Sequence, residues 1–140
     1  MGFLDRKKLL EKEKLEVVQV DLGNGDFVYV RQMMAYERDK FEQSLRKEVK
    51  NAKGGTDFEL ALDNYRAKLA VCTVSDDKGV LIFEPGDYLT LSKSMGSARM
   101  EKIVIEAQNL NAITEEDKEK LVKNSDAGQA GSSSSVSVKS

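Results

Sequence analysis

The chain of 140 residues contains no histidine, no tryptophan, one cysteine and one proline. Each scarcity removes a class of chemistry. Without histidine no side chain has an ordinary pKa near neutrality, so acid/base catalysis would need carboxylates or lysines gathered in a cleft, and no spacing marks such a pair. Cys72 has neither a second thiol to pair with nor a histidine to deprotonate it; its place on the apolar line of a helix reads as a buried structural thiol in a reducing compartment. No glycine-rich phosphate loop is present. No run of about 18 apolar residues occurs and Met1–Lys8 lacks the apolar stretch of a secretory signal, so a soluble, cytoplasmic chain is expected. Arg6 stands where an N-myristoylation motif requires Ser or Thr. Lys and Arg total 22 against 24 Asp and Glu, a formal charge of −2, which leaves no basic field to collect phosphates and disfavours nucleic-acid binding. Asp76-Asp77 precede Gly79 in what reads as a tight turn, not a twelve-residue calcium loop. Glu115-Glu116-Asp117 fall in the first turn of a predicted helix, where they complement its dipole. The expectation is a protein that is not an enzyme, takes no cofactor or metal, and works through its surface.

What remains is ordinary for a folded domain, with 40% hydrophobic and 33% charged residues, enough to bury a single core. The predicted class is mainly α: a small helical domain with an N-terminal β-hairpin and a disordered C-terminal tail. Residues 1–16 form an arm with a short helix over about Arg6–Lys14, capped by Asp5 and stapled by Leu4 and Leu9. Residues 17–124 form the domain. Its hairpin joins Val17–Val20 to Phe27–Val30 through Gly23-Asn24-Gly25, with Phe27 and Tyr29 on one face and Val28 and Val30 on the other. Phe41, Leu45 and Val49 recur every fourth residue and predict a helix from about Met34 to Val49, ended by Asn51-Ala52-Lys53-Gly54-Gly55. A second helix is predicted from the Thr56/Glu59 capping box to about Val74, with Phe58, Leu62, Tyr65, Leu69 and Cys72 on one face. Val80-Leu81-Ile82-Phe83 reads as an extended buried connector. Pro85 starts a short helix burying Tyr88, Leu89 and Leu91, Ser97 opens a longer one that places Met100, Ile103, Val104, Ala107 and Leu110 inward, and Thr114 caps a last one to about Lys123. The serine-rich residues 125–140 cannot offset the entropy of ordering.

Candidate contact residues come from apolar placement. Phe3, Leu4, Leu9 and Leu10 belong to a helix too short to stand alone, which either docks on its own domain or reaches a neighbouring subunit. Met33, Met34 and Tyr36 either join the core or form an adaptable partner surface, because thioethers fill irregular contacts.

The order of several segments carries a resemblance. These are Val28-Tyr29-Val30-Arg31-Gln32-Met33 running into Ala35-Tyr36-Glu37-Arg38-Asp39-Lys40-Phe41-Glu42, then Arg66-Ala67-Lys68-Leu69-Ala70-Val71, Ser75-Asp76-Asp77-Lys78-Gly79 with Leu81-Ile82-Phe83, Asp87-Tyr88-Leu89 with Leu91, and Leu110-Asn111 followed by Glu119-Lys120-Leu121-Val122-Lys123-Asn124. Together they span Val17–Asn124 and make the chain resemble the tail assembly chaperones of long-tailed phages and prophages, particularly those of Gram-positive hosts. The resemblance implies a small, mainly helical viral protein that binds the tape measure protein, helps recruit tail tube protein, self-associates into rings or spirals, acts in the host cytoplasm and is absent from the mature virion. It also implies that a frameshifted longer product accompanies many such proteins. A structural tail component of tube or terminator type and a small helical regulatory interaction module are the alternatives.

Overall fold

The computed structural model describes residues 2–60, 62–114 and 116–117, with the backbone alone at 47, 49 and 58–60. In chain order these form helix α1 (Arg6–Leu9), strands β1 (Val17–Gly23) and β2 (Asp26–Arg31), helix α2 (Ala35–Gln43), strands β3 (Arg46–Lys50) and β4 (Thr56–Leu60), helix α3 (Tyr65–Thr73), strand β5 (Val74–Ser75), a 3-10 turn (Pro85–Asp87) and helices α4 (Tyr88–Ser94) and α5 (Ser97–Leu110).

The first hairpin follows from its turn. Asn24 (φ 56°) and Gly25 (φ 82°) form the two-residue loop whose positive φ values suit the right-handed twist of the flanking strands. Register runs from Val17↔Arg31 to Asp21↔Phe27, then slips by one so that Gly23 faces Asp26. As alternation requires, Val30 is fully buried and Val28 packs against the core. Phe27 and Tyr29 meet edge to face on the other side, with ring centroids 5.7 Å apart. Asp26 also receives an ion pair from Arg99 at 2.6 Å, which ties the hairpin tip to the start of α5.

Strand β5 adds antiparallel to β2 through Val30↔Val74 and Tyr29↔Ser75, completing a sheet of order β1–β2–β5. Helix α5 lies against β1 and β2 and packs on α3, which also carries α2 and α4. The spacing of Met100, Ile103, Val104 and Ala107 puts all four on the buried stripe of α5. They share one apolar cluster with Val20, Leu22 and Val30 of the sheet and Leu69 and Ala70 of α3. Burying each such Leu or Ile contributes about 1.5–3 kcal/mol. Asn111 closes the structure: its Oδ1 accepts from Met33 N at 2.7 Å, its carbonyl from Arg38 Nη1 at 2.7 Å, and its Nδ2 donates to Ala107 O at 2.9 Å.

The fold is mixed α and β, not mainly α as the sequence led us to expect. The expectation failed in the segment read as two long helices. Helix α2 stops at Gln43, where the Ser44 hydroxyl donates to Phe41 O at 2.6 Å and the Leu45 N–H turns back to Glu42 O. Leu45 is still fully buried, so its spacing from Phe41 is helical without the helix continuing. Residues 46–60 instead form a second antiparallel hairpin, registered from Arg46↔Leu60 to Lys50↔Thr56. Its loop is an Asx turn: Asn51 Oδ1 accepts from Lys53 N at 3.0 Å and from Gly55 N at 2.8 Å, with Gly54 at φ 84°. The residues read as a helix stop are therefore a hairpin loop, and Thr56 with Glu59 belongs to a strand, not to a capping box. Helix α3 starts only at Tyr65, behind Asn64 in a left-handed conformation (φ 62°).

Smaller differences occur at both ends. Asp5 caps α1 by accepting from Lys8 N at 3.0 Å, but the helix is one turn long and buries no residue. Thr114 and Asp117 form a reciprocal box, Thr114 N to Asp117 Oδ2 at 3.0 Å and Asp117 N to Thr114 Oγ1 at 3.1 Å. The rest of the predicted last helix, Leu121 included, and the serine-rich tail lie outside the described residues. No helix among the described residues is long and apolar enough to cross a membrane.

Candidate functional site

Two depressions adjoin on one side of the molecule. The smaller is an apolar groove of about 500 Å³ between α2, α3 and the connector that follows β5, walled by Phe41, Val71, Cys72, Leu81, Phe83 and Tyr88. Alternation along the connector builds one wall: Leu81 and Phe83 turn inward and are partly covered, while Val80 and Ile82 are more than half exposed. The connector bridges to Ser75 through Leu81, but it is not buried as predicted: only Leu81 and Phe83 are partly covered. Its geometry is set by the preceding turn, where Asp76 Oδ1 accepts from Lys78 N at 2.8 Å and Val80 N at 3.0 Å. Those bonds hold the Asp76 carboxyl below its ordinary pKa, the Val80 N–H contributing most. Pro85 opens the 3-10 turn as expected, and Tyr88 follows as the far wall; Leu89 stays half exposed.

The rim is polar and fixed. Lys68 Nζ donates to Ser44 O at 2.8 Å and lies 5.2 Å from the centroid of the Tyr88 ring. Glu37, Lys40 and Tyr36 complete the edge toward α2. Burial pushes the Cys72 thiol above its ordinary pKa, the Glu37 carboxylate adds to this, and the Arg31 guanidinium opposes it. The thiol therefore stays protonated near neutrality and is a poor nucleophile.

The larger depression is an open recess of about 1820 Å³ between the Leu10–Val17 segment, the start of α2 and the Asp77–Leu81 turn. Tyr36, Glu37 and Leu81 line both, so the two are neighbours that share a wall. The floor of the recess holds a covered ion pair, Arg31 Nη2 to Glu37 Oε2 at 2.8 Å, with side chains only 8% and 16% exposed. Glu37 Oε1 accepts from Met34 N at 2.8 Å, fastening the start of α2. Arg31 Nη1 donates to Gln32 O at 3.0 Å. Arg31 Nε has no partner and is the one such buried side-chain atom among the described residues.

The structure separates the candidate contact residues. Phe3 (94%), Leu4 (55%), Leu9 (65%), Leu10 (68%) and Tyr36 (61%) are exposed, whereas Met33 (8%) is core. Leu10, Met34 and Tyr36 come together around the recess; Phe3, Leu4 and Leu9 stand apart on the arm. Sequence reasoning missed the groove walls Phe41, Val71, Leu81, Phe83 and Tyr88. The alternation Leu81/Phe83 against Val80/Ile82 was the available signal, but nothing in it named the helices opposite. The described residues hold no cluster of three or more His, Cys, Asp or Glu side chains able to hold a metal.

The chain matches no family model, no curated protein and no solved structure.

Proposed function

We propose that the protein is a phage tail assembly chaperone, which binds the tape measure protein in the host cytoplasm and promotes tail tube assembly as a ring or spiral, without remaining in the virion. The observation that carries the reading is the apolar groove with its polar rim beside the open recess, flanked by an arm that leaves Phe3, Leu4, Leu9 and Leu10 outside the core. A groove of this kind suits the apolar ridge of an amphipathic helix. Chaperoning a long rod needs repeated, individually weak contacts that tube subunits can displace, and copies arrayed along the rod supply the necessary avidity without ATP.

The test is co-purification of the full chain with its cognate tape measure protein, together with electron microscopy of the chain alone. Rings or spirals and a complex weakened by Phe83→Glu are expected. A strict monomer at high concentration that ignores the tape measure protein would refute the proposal. The second hairpin favours one other reading, a structural tail component of tube or terminator type, because such subunits use more strand than one hairpin offers. Mass spectrometry of purified virions separates the two: a structural component is present, a chaperone is not.

A further inference from the structure

Strands β3 and β4 form a sheet of two strands, so among the described residues each has an outer edge with no strand on it. Among the described residues no helix or other strand packs extensively against this hairpin. A lone two-stranded hairpin is at best marginally stable in water, and an open edge is a template for one more strand. The first hairpin meets that need by recruiting β5 to the edge of β2. The second recruits nothing within the described chain.

The two edges differ in charge. The sequence of β3 is Arg46-Lys47-Glu48-Val49-Lys50, three basic residues and one acidic; that of β4 is Thr56-Asp57-Phe58-Glu59-Leu60, two acidic residues and none basic. Within the hairpin Lys47 faces Glu59, as opposite charges across a ladder should. Between copies, β3 on β3 or β4 on β4 would set like charges against each other, which opposes pairing. Only β4 on β3 is complementary. Such a contact uses a different edge of each copy, so it is heterologous and propagates into a ring or an open helix, where a two-fold contact would stop at a dimer.

We infer that the β3–β4 hairpin is a strand-addition joint between copies of this chain, the acidic outer edge of β4 in one copy pairing with the basic outer edge of β3 in the next. The inference deepens the self-association in the reading above and does not involve the tape measure protein.

Three full-length variants test it by analytical ultracentrifugation and electron microscopy. Lys47→Glu with Lys50→Glu makes both strands acidic; Asp57→Lys with Glu59→Lys makes both basic. Each is expected to raise the concentration needed for assembly by about tenfold or more. The chain carrying all four substitutions restores opposite charges within and between hairpins, so it should assemble with itself while failing to co-purify with tagged wild-type chain. This self-sorting guards against mistaking a misfolded hairpin for a lost joint. Wild-type assembly that is indifferent to the two-residue reversals, or free mixing of the four-residue variant with wild type, overturns the joint while leaving the chaperone reading in place. A wild-type chain that is monomeric at every concentration overturns both.

Discussion

The buried pair Arg31–Glu37 makes a prediction whose sign pattern is unusual. Both side chains are largely removed from water, the contact is 2.8 Å, and Arg31 Nε is left without an acceptor. Removing one partner of such a pair strands a charge at a cost of about 3–5 kcal/mol, whereas replacing both by uncharged groups of similar volume is often neutral. Glu37→Gln keeps an oxygen to accept from Met34 N but strands Arg31, the more buried partner, and should cost about 3 kcal/mol. Arg31→Met leaves Glu37 with its Met34 bond and somewhat more solvent, and should cost about 2 kcal/mol. The double variant removes both charges together with the orphaned Nε–H, and should lie within about 1 kcal/mol of wild type. Urea unfolding followed by far-ultraviolet circular dichroism measures all four proteins; an unchanged slope confirms that midpoints report stability. In thermal melts the Glu37→Gln loss corresponds to about 10 °C. Strict additivity, with the double variant as unstable as the two singles summed, would refute the claim that these charges exist for each other.

Other consequences are as direct. Gly79 has φ +87°, and a Cβ there would sit 3.3 Å from Val17 Cγ2; Gly79→Ala should cost about 1–3 kcal/mol. Gly86→Ala, with nothing within 4 Å of the new Cβ, should be nearly silent in the same melts. Because burial raises the Cys72 pKa, iodoacetamide at pH 7 should label the native chain more slowly than the urea-unfolded chain, and equal rates would contradict the buried setting. Asp76 titrates below its ordinary 3.8 in the folded chain, so its contribution is complete above that value and is lost as pH falls through the folded pKa. The stability gap between wild type and Asp76→Ala should therefore narrow on acidification below about pH 4, and a gap that widened would reverse the assignment.

Some of this fold was legible in the residues because local and global preferences agree there. Asn24-Gly25 demands its turn, and the Met100–Ala107 stripe has a single helical solution. The second hairpin was hidden by coincidence of period. Phe41 and Leu45 lie one helical turn apart and are both buried, and adding Val49 extended a helix that Ser44 in fact ends. Phe58 and Leu60 alternate with Asp57 and Glu59, and a loop of Asn51 to Gly55 follows β3, which together constitute a strand signal that the four-residue spacing outweighed. Strand β5 could not have been read at all. Val74-Ser75 is two residues long and is a strand only because Val30 and Tyr29 lie opposite. The groove and the recess were illegible for the same reason: their walls come from positions as distant as Leu10 and Tyr88, and only the tertiary arrangement of α2 and α3 brings them together. The arm was read either as docking on its own domain or as reaching a neighbouring subunit; in the structure Phe3, Leu4, Leu9 and Leu10 all stay exposed.

Val74 is at once the C-cap of α3 and the first residue of β5. No slack separates the groove wall at Val71 and Cys72 from the ladder at Val30. A guest prying that wall outward would load the backbone pairing of β2 directly, much as a hinge pin passes torque between two leaves, and the amide resonances of Tyr29 and Val30 would register occupancy of a cleft they never touch.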